Sequence, residues 1–283
     1  MTSPNFIIIG AQKSGTTWLF KTLANHPDVF MPRREMNFFE HPDRMAKGFD
    51  WYEKHFDSAT HESAIGEKTP TYLCVNEIAP FEPHRHIHEY APDVKLIAVL
   101  RNPVERALSH ARHYMRHAKF GGNISPLASL RHLIFDSNLS NSILNRGYYA
   151  RQLEAYYKYF SPEQILVIIN EEEIVKDPNG LMVKVCKFLN IDPDFDFKNA
   201  NQVIHDGSFS RVGAVLASLF PFIKTQIRYL DRHTLSKLFN MTVNRATLNQ
   251  LYDYYHDENE QLFSLLGRRW SSWSRPARVN KHG

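Results

Sequence analysis

Apolar residues are concentrated in a few short runs. Phe6–Ile9 is continuously apolar and ends at Gly10, the pattern of a strand buried on both faces. Ala64–Glu67 predicts a second short strand. Val94–Leu100, VKLIAVL, gives the strongest strand pattern in the chain, and Gln164–Asn170, QILVIIN, gives another. Helical patterns separate these runs. One helix runs from Thr16 to about His26, where Pro27 stops it. Asn102-Pro-Val-Glu105 opens another: Asn102 caps, Pro103 suits the first turn, and Glu105 closes a capping box. Gly147 to Phe160 is aromatic-rich and helical. Asp177-Pro178 starts a helix with Leu181, Val185, Phe188 and Leu189 at helical spacing. A last helix carries Leu248, Leu251, Tyr252, Tyr255, Leu262 and Leu266 on one stripe and ends at Gly267. Strands alternating with helices predict an α/β layer with a mainly parallel sheet. Residues 191–244 carry no readable pattern, and the basic tail 268–283 is expected to fray. No repeat, linker or composition break divides the 283 residues, which are read as one domain.

Composition narrows the classes. With 43% hydrophobic and 23% charged residues the chain can bury a sizeable core. The net charge of +4 fits an anionic ligand but is too weak to imply nucleic acid. No apolar run approaches the ~20 residues of a membrane span. Phe6–Ile9 has no basic region before it and is not read as a signal-peptide core. The two cysteines, Cys74 and Cys186, lie far apart, so a reducing, cytoplasmic setting is expected over a disulfide scaffold.

The first chemical signal is GAQKSGTTW. Gly10 and Gly15 permit tight bends, and a helix starting near Thr16 aims its free amides at the loop. Such a helix start attracts phosphate, and Ser14, Thr16 and Thr17 add hydroxyl donors. A nucleotide loop of the G-x-x-x-x-G-K-[ST] type places its lysine after the second glycine. Here the lysine is Lys13, ahead of it, where it would reach the end of the anion rather than lie along it. A triphosphate needs a metal for its charge. A sulfuryl group carries less charge, so the displaced lysine points to a different anion. The alternative is an unliganded strand–helix turn.

The second signal is VLRNPVERALSHARHYMRH. Arg101 directly follows the strong strand, at the carboxyl end where open α/β sheets bind ligands. The following helix has an apolar face of Ala107, Leu108, Ala111, Tyr114 and Met115. Arg106, Ser109, His110, His113, Arg116 and His117 form a polar one. Arg101 and Ser109 are placed to grip one anionic group. Arg112 and Arg116 read as a solvated basic face.

Together these segments resemble sulfotransferases that use 3′-phosphoadenylyl sulfate (PAPS), and among them the heparan sulfate N- and 3-O-sulfotransferase branch and its bacterial relatives. QKSGTTWL resembles the family's 5′-phosphosulfate loop, and LRNPVERALSH its 3′-phosphate motif. REMNFFE resembles the segment that carries the catalytic base, which falls on Glu35. GEKTPTYL resembles the segment whose lysine lies at the transfer site, which falls on Lys68. RGYYARQLEAYY resembles a cofactor-site segment, which falls on Gly147 and Tyr149. The likeness runs from about Asn5 to Leu189. It implies a P-loop-like three-layer sandwich, sulfuryl transfer from PAPS to a hydroxyl or amine of an acceptor such as a carbohydrate or other small metabolite, and adenosine 3′,5′-bisphosphate as product. It implies no metal. Glu35 would take the acceptor proton, while Lys13 and Lys68 would neutralise developing charge. The heparan enzymes carry a C-terminal disulfide and a basic loop on the cofactor phosphate. The nearest substitute is HDGSFSRVG, with Ser208, Ser210 and Arg211.

Several readings compete at individual residues. Phe38-Phe39 is expected to bury Glu35 and raise its pKa. Glu67, next to Lys68, is the rival carboxylate, with a structural ion pair as its other reading. Glu40 is a weaker candidate for acceptor contacts. Trp51 is assigned to the core. His84, His86 and His88 do not share a helical face, and arginines crowd His110, His113 and His117, so neither group reads as a metal site. Two other function classes stay open: a P-loop kinase of a small metabolite, disfavoured by the missing G-K-[ST], and a non-catalytic anion or glycan-binding protein.

Overall fold

The computed structural model describes residues 2–75, 82–116, 129–198, 200–201, 220, 222 and 243–276. Five strands form one parallel sheet: β1 (Phe6–Gly10), β2 (Val29–Phe30), β3 (Ala64–Lys68), β4 (Lys95–Leu100) and β5 (Ile165–Ile169), in the order β2-β3-β1-β4-β5. The apolar runs become strands because both faces of the sheet are covered. Ile7 and Ile9 enter one core layer with Leu96, Ala98, Leu100, Tyr149, Leu153 and Tyr156. Phe6 and Ile8 enter the opposite layer with Trp18, Leu19, Ile97, Val99, Leu181 and Val185. Adjacent strand residues point to opposite faces, so continuous hydrophobicity fills both layers at once. β2 is only two residues long, too short to show as a pattern.

From β1 the chain moves out to β2 and β3 on one side, then crosses to β4 and β5 on the other. Helix α1 (Thr16–Leu23) packs on one face, and α4 (Pro83–Tyr90) on the other. The strand order therefore reverses beside β1, and ligands of open parallel sheets sit at such a reversal. The short helices α2 (Pro42–Met45) and α3 (Phe49–Glu53) precede β3. A third core cluster joins α5 (Pro103–Arg116), α6 (Leu130–Phe135), α7 (Ser140–Leu144) and α10 (Arg245–Tyr254). Helices α8 (Tyr149–Tyr157), α9 (Pro178–Leu189) and α11 (His256–Leu266) complete the α-helices among the described residues.

Four sequence expectations change. The Asn102 side chain caps α5 by accepting from Val104 N at 3.0 Å, but Glu105 closes no capping box. The Asn102 amide instead donates to Glu171 Oε1 at 2.9 Å, because the chain after β5 brings a carboxylate to that spot. The single C-terminal helix is two, α10 and α11, broken at Tyr255 (ψ 2°) and ending, as expected, at Gly267 in left-handed conformation. The break turns the Tyr255 hydroxyl to Leu144 O at 2.8 Å. The tail does not fray over residues 268–276: Trp270 and Trp273 are buried, and Trp273 Nε1 donates to Glu171 Oε2 at 3.0 Å. The polar face expected on α5 is also partly core. Arg106 is fully buried, donates to Ile143 O, and faces His110, because α7 and Tyr255 cover that side.

Candidate active site

Parallel pairing aligns the carboxyl ends of four strands. In register, Ile8 faces Lys68 on β3 and Gly10 faces Ala98 on β4; Leu100 faces Ile169 on β5. Lys68, the 11–15 loop, Arg101 and Asn170 thus follow one another along the same edge of the sheet.

The loop is tightly shaped. Gly15 has φ 111°, and a Cβ there would stand 2.7 Å from Asn170 Nδ2 and 2.9 Å from Ile174 Cδ1. Lys13 also adopts left-handed backbone, φ 71°, a conformation that costs a non-glycine residue about 1–2 kcal/mol and collects at functional sites. Asn170 Nδ2 donates to Ser14 O at 2.8 Å, tying the loop to the end of β5. Arg146 Nη1 donates to Gln12 Oε1 at 2.5 Å, tying it to the segment before α8. Helix α1 begins with no side-chain cap and no acidic residue in its first turn. Ser14 is fully buried, its hydroxyl has no hydrogen-bond partner among the described residues, and the Tyr149 hydroxyl lies near it. Free amides, an unsatisfied buried hydroxyl and a nearby lysine make a receptor for an anionic oxygen. Lys13, Arg106 and Arg146 also bring positive charge to His110, whose pKa is driven well down, chiefly by burial.

The second group lies along α5. Arg101 reaches Glu105 at 3.7 Å and Glu171 at 4.0 Å, both long contacts that leave its guanidinium partly exposed. Ser109, half-buried, follows Glu105 one turn later. Arg112 is half-buried rather than solvated; burial, with the charge of Arg101, pushes its pKa down while Glu105 opposes the shift. Tyr149 is buried, and its hydroxyl donates to Arg101 O at 2.9 Å, so it reaches this site through the Arg101 backbone. Gly147 is required by packing: a Cβ there would stand 2.8 Å from the Tyr255 ring.

The third group joins residues 33 positions apart. Lys68 Nζ donates to Glu35 Oε1 at 2.7 Å. Glu35 is exposed and Lys68 mostly buried. The Phe38-Phe39 pair does not bury Glu35, contrary to expectation. Both rings turn into the core against Tyr52, Tyr72 and Tyr90, where Trp51 also packs, and leave Glu35 at the surface. Glu67 is fully buried and forms no ion pair among the described residues. Three hydroxyls donate to it instead: Tyr52 at 2.8 Å, Tyr72 at 3.1 Å and Thr69 at 2.7 Å. Burial raises its pKa to about 7, against those three hydrogen bonds. Glu40 accepts from Thr71 Oγ1 at 2.7 Å.

Ser208, Ser210, Arg211 and His117 lie outside the described residues, and so does the side chain of Arg116. Arg146, Asn170 and Glu171 escaped the sequence reading. Asn170 carries the same signal as Arg101, a polar residue closing a buried strand. Arg146 and Glu171 act over 134 and 69 residues, a distance at which no local pattern speaks.

A sulfotransferase domain model matches residues 3–238. The chain belongs to the sulfotransferase family. It is 31% identical over 271 residues to mouse (Mus musculus) heparan sulfate glucosamine 3-O-sulfotransferase 3A1, covering 94% of this chain and 63% of that protein. It is 30% identical over 291 residues to human (Homo sapiens) bifunctional heparan sulfate N-deacetylase/N-sulfotransferase 2, covering 96% of this chain and 31% of that one. The chain thus spans less than two thirds of the length of either relative. The crystal structure of a sulfotransferase from Alicyclobacillus acidocaldarius has the same fold, with TM-score 0.69 and 24% identity over 97% of this chain and 100% of that one.

Proposed function

We propose that this sulfotransferase-family protein moves a sulfuryl group from PAPS to a hydroxyl or amine of a carbohydrate acceptor. The observation that carries the reading is the 2.7 Å pair of Lys68 and Glu35, set one strand away from the anion-receiving loop. The residues present fit the donor. Ser14 offers a buried hydroxyl with an unmet hydrogen bond, and the uncapped start of α1 offers amides. Arg101, just before α5, and Ser109 and Arg112 on it would serve a second phosphate. When bound, PAPS supplies the sulfuryl group on a phosphosulfate anhydride.

The protein's own residues would then act as follows. Lys68 occupies only Oε1 of Glu35, which leaves the exposed carboxylate able to accept the acceptor's proton as the acceptor oxygen or nitrogen attacks. Lys13 and Lys68 would stabilise charge on the leaving phosphate oxygen and the sulfuryl oxygens. The loop and the α5 arginines would fix the donor in line. The names of the relatives support a glucosamine-containing polysaccharide as acceptor, and the well-separated cysteines support a reducing setting such as the cytoplasm.

The test is transfer of labelled sulfate from PAPS to a panel of oligosaccharides, including heparan fragments lacking N- or 3-O-sulfate. We expect label in at least one acceptor, and we expect Glu35→Gln to lower turnover by about 10² or more while adenosine 3′,5′-bisphosphate binds as before. Full turnover in Glu35→Gln would refute the base assignment. An ATP-consuming, magnesium-dependent reaction would favour a kinase.

A further inference from the structure

The segment that carries Glu35 lies between β2 and α2 and has no helix or strand of its own. Its backbone is held by two hydroxyls. Thr69 Oγ1 accepts from Met36 N at 3.2 Å and from Asn37 N at 3.1 Å. Tyr72 OH accepts from Phe38 N at 2.7 Å and from Phe39 N at 3.3 Å. Four consecutive amides thus rest on two oxygen atoms. A hydroxyl can do this only if its own proton points elsewhere. Both protons go to the same place: Thr69 donates to Glu67 Oε2 at 2.7 Å, and Tyr72 donates to Oε1 at 3.1 Å. Tyr52 adds a third donor at 2.8 Å.

Glu67 therefore sets the direction of both rotors. In its ionised form Glu67 accepts all three O–H groups and leaves the lone pairs of Thr69 and Tyr72 facing the loop, so the state that orders the loop is the one above about pH 7. The next residue after Glu67 is Lys68, which grips Glu35 directly. One strand end thus holds the loop from both sides, at its backbone through Glu67 and at its side chain through Lys68. Burying a carboxylate among aromatic rings is costly, and a purely apolar side chain would pack there at lower cost. A carboxylate is explained by the need for one group that accepts from all three hydroxyls.

We propose that Glu67 is the positioning residue of the Glu35 loop: by orienting the Thr69 and Tyr72 hydroxyls it fixes the 36–39 backbone and so places the Glu35 carboxylate at Lys68. The proposal rests on the reading of Glu35 as general base, and it assigns Glu67 no contact with the reacting atoms. Glutamine at 67 would keep one acceptor oxygen but turn an NH₂ donor towards a hydroxyl. That hydroxyl must rotate, and its lone pairs leave the loop amides.

The experiment measures amide hydrogen exchange over residues 36–39 in the full chain, for Glu67→Gln, Tyr72→Phe, Thr69→Val, Thr69→Ser and Glu35→Gln. Binding of adenosine 3′,5′-bisphosphate is measured on the same proteins, and sulfate transfer with heparan fragments as probe acceptors. Protection at 36–39 should fall about tenfold or more in the first three variants, the scale of losing a buried hydrogen bond. Thr69→Ser should restore it, since only the hydroxyl matters. Glu35→Gln should leave it unchanged. Bisphosphate affinity should stay within about twofold throughout, because the network touches no donor-binding group. Turnover should fall with protection while the donor KM holds.

Unchanged protection in Glu67→Gln overturns the proposal, as does a loss in Thr69→Ser equal to that in Thr69→Val. The Thr69 pair decides the matter alone if Glu67→Gln does not fold. Failure of the base reading gives a different result: protection follows the predicted order, but Glu35→Gln turns over normally.

Discussion

Glu67 precedes Lys68 on β3 and Glu35 accepts from the Lys68 ammonium, yet burial separates their chemistry. Glu35 stands in water beside an ammonium, where proton transfer to and from an acceptor is open. Glu67 is sealed among hydroxyls, and its pKa rises from 4.5 to about 7 through desolvation. The rise has a sign that can be measured. The folded protein keeps the Glu67 proton up to about pH 7, whereas the unfolded chain loses it near pH 4.5. Between these values the folded state binds more protons, so its stability from this group is full below pH 4.5 and is lost as pH rises through 7. The loss amounts to about 3 kcal/mol. Chemical denaturation of wild type and Glu67→Gln from pH 4 to 8 should show wild type losing stability relative to the variant across that window, and no relative change above it. A constant difference at every pH would contradict the assignment of a buried, titrating carboxylate. The partition between the two carboxylates was only partly legible in the sequence. The motif likeness indicated Glu35, but the aromatic pair beside it suggested burial. Adjacent Phe38 and Phe39 are both buried against Tyr52, Tyr72 and Tyr90, partners that come from other parts of the chain, and no local pattern reports that.

The loop between β1 and α1 shows what can be read at the scale of an element. Its glycines were legible because tight turns demand them, and Gly15 does carry φ 111°. Its partners were not. The nearest atoms to a Cβ at Gly15 belong to Asn170 and Ile174, on the far side of the sequence. Gly15→Ala would meet both a left-handed backbone and a contact at 2.7 Å, so it should lower stability by about 1–3 kcal/mol. It should also weaken adenosine 3′,5′-bisphosphate binding, because the Ser14 carbonyl and the Asn170 amide would move apart. Thermal denaturation with and without the bisphosphate measures both effects; a stable variant with intact binding would show that the loop tolerates a side chain there. The strands were legible for a simple reason. β1 and β4 are buried on both faces and β5 is mostly so, and a continuous apolar run of strand length marks such a strand. Helix α5 was misread in part because a helix face is judged by polarity. Arg106 is polar, but Tyr255 and α7 close over it, and burial of a guanidinium is set by tertiary partners.

For the whole molecule, the sheet edge gathers three groups into one line: the Lys68–Glu35 pair on β3, the loop on β1, and Arg101 with the α5 stripe on β4. On the proposed function the line runs from the acceptor end at Glu35 to the donor's second phosphate near Arg101. The C-terminal segment braces the second end, since Trp273 and Asn102 both donate to Glu171, the residue that also faces Arg101. The proposed donor, PAPS, would place two separated anionic groups along this line, which a nucleotide with phosphates at one position only would not. A ligand at ~100 times its dissociation constant stabilises the folded state by roughly 2.7 kcal/mol, so binding reads out directly as a thermal shift. The decisive measurement is calorimetric titration of the wild type and Arg101→Ala with adenosine 3′,5′-bisphosphate and with AMP. Wild type should bind the bisphosphate about tenfold to a hundredfold more tightly than AMP, the scale of one charge-assisted contact set, and Arg101→Ala should erase most of that preference. Equal affinity for the two nucleotides in wild type would contradict a donor with a 3′-phosphate, and with it the proposed reaction.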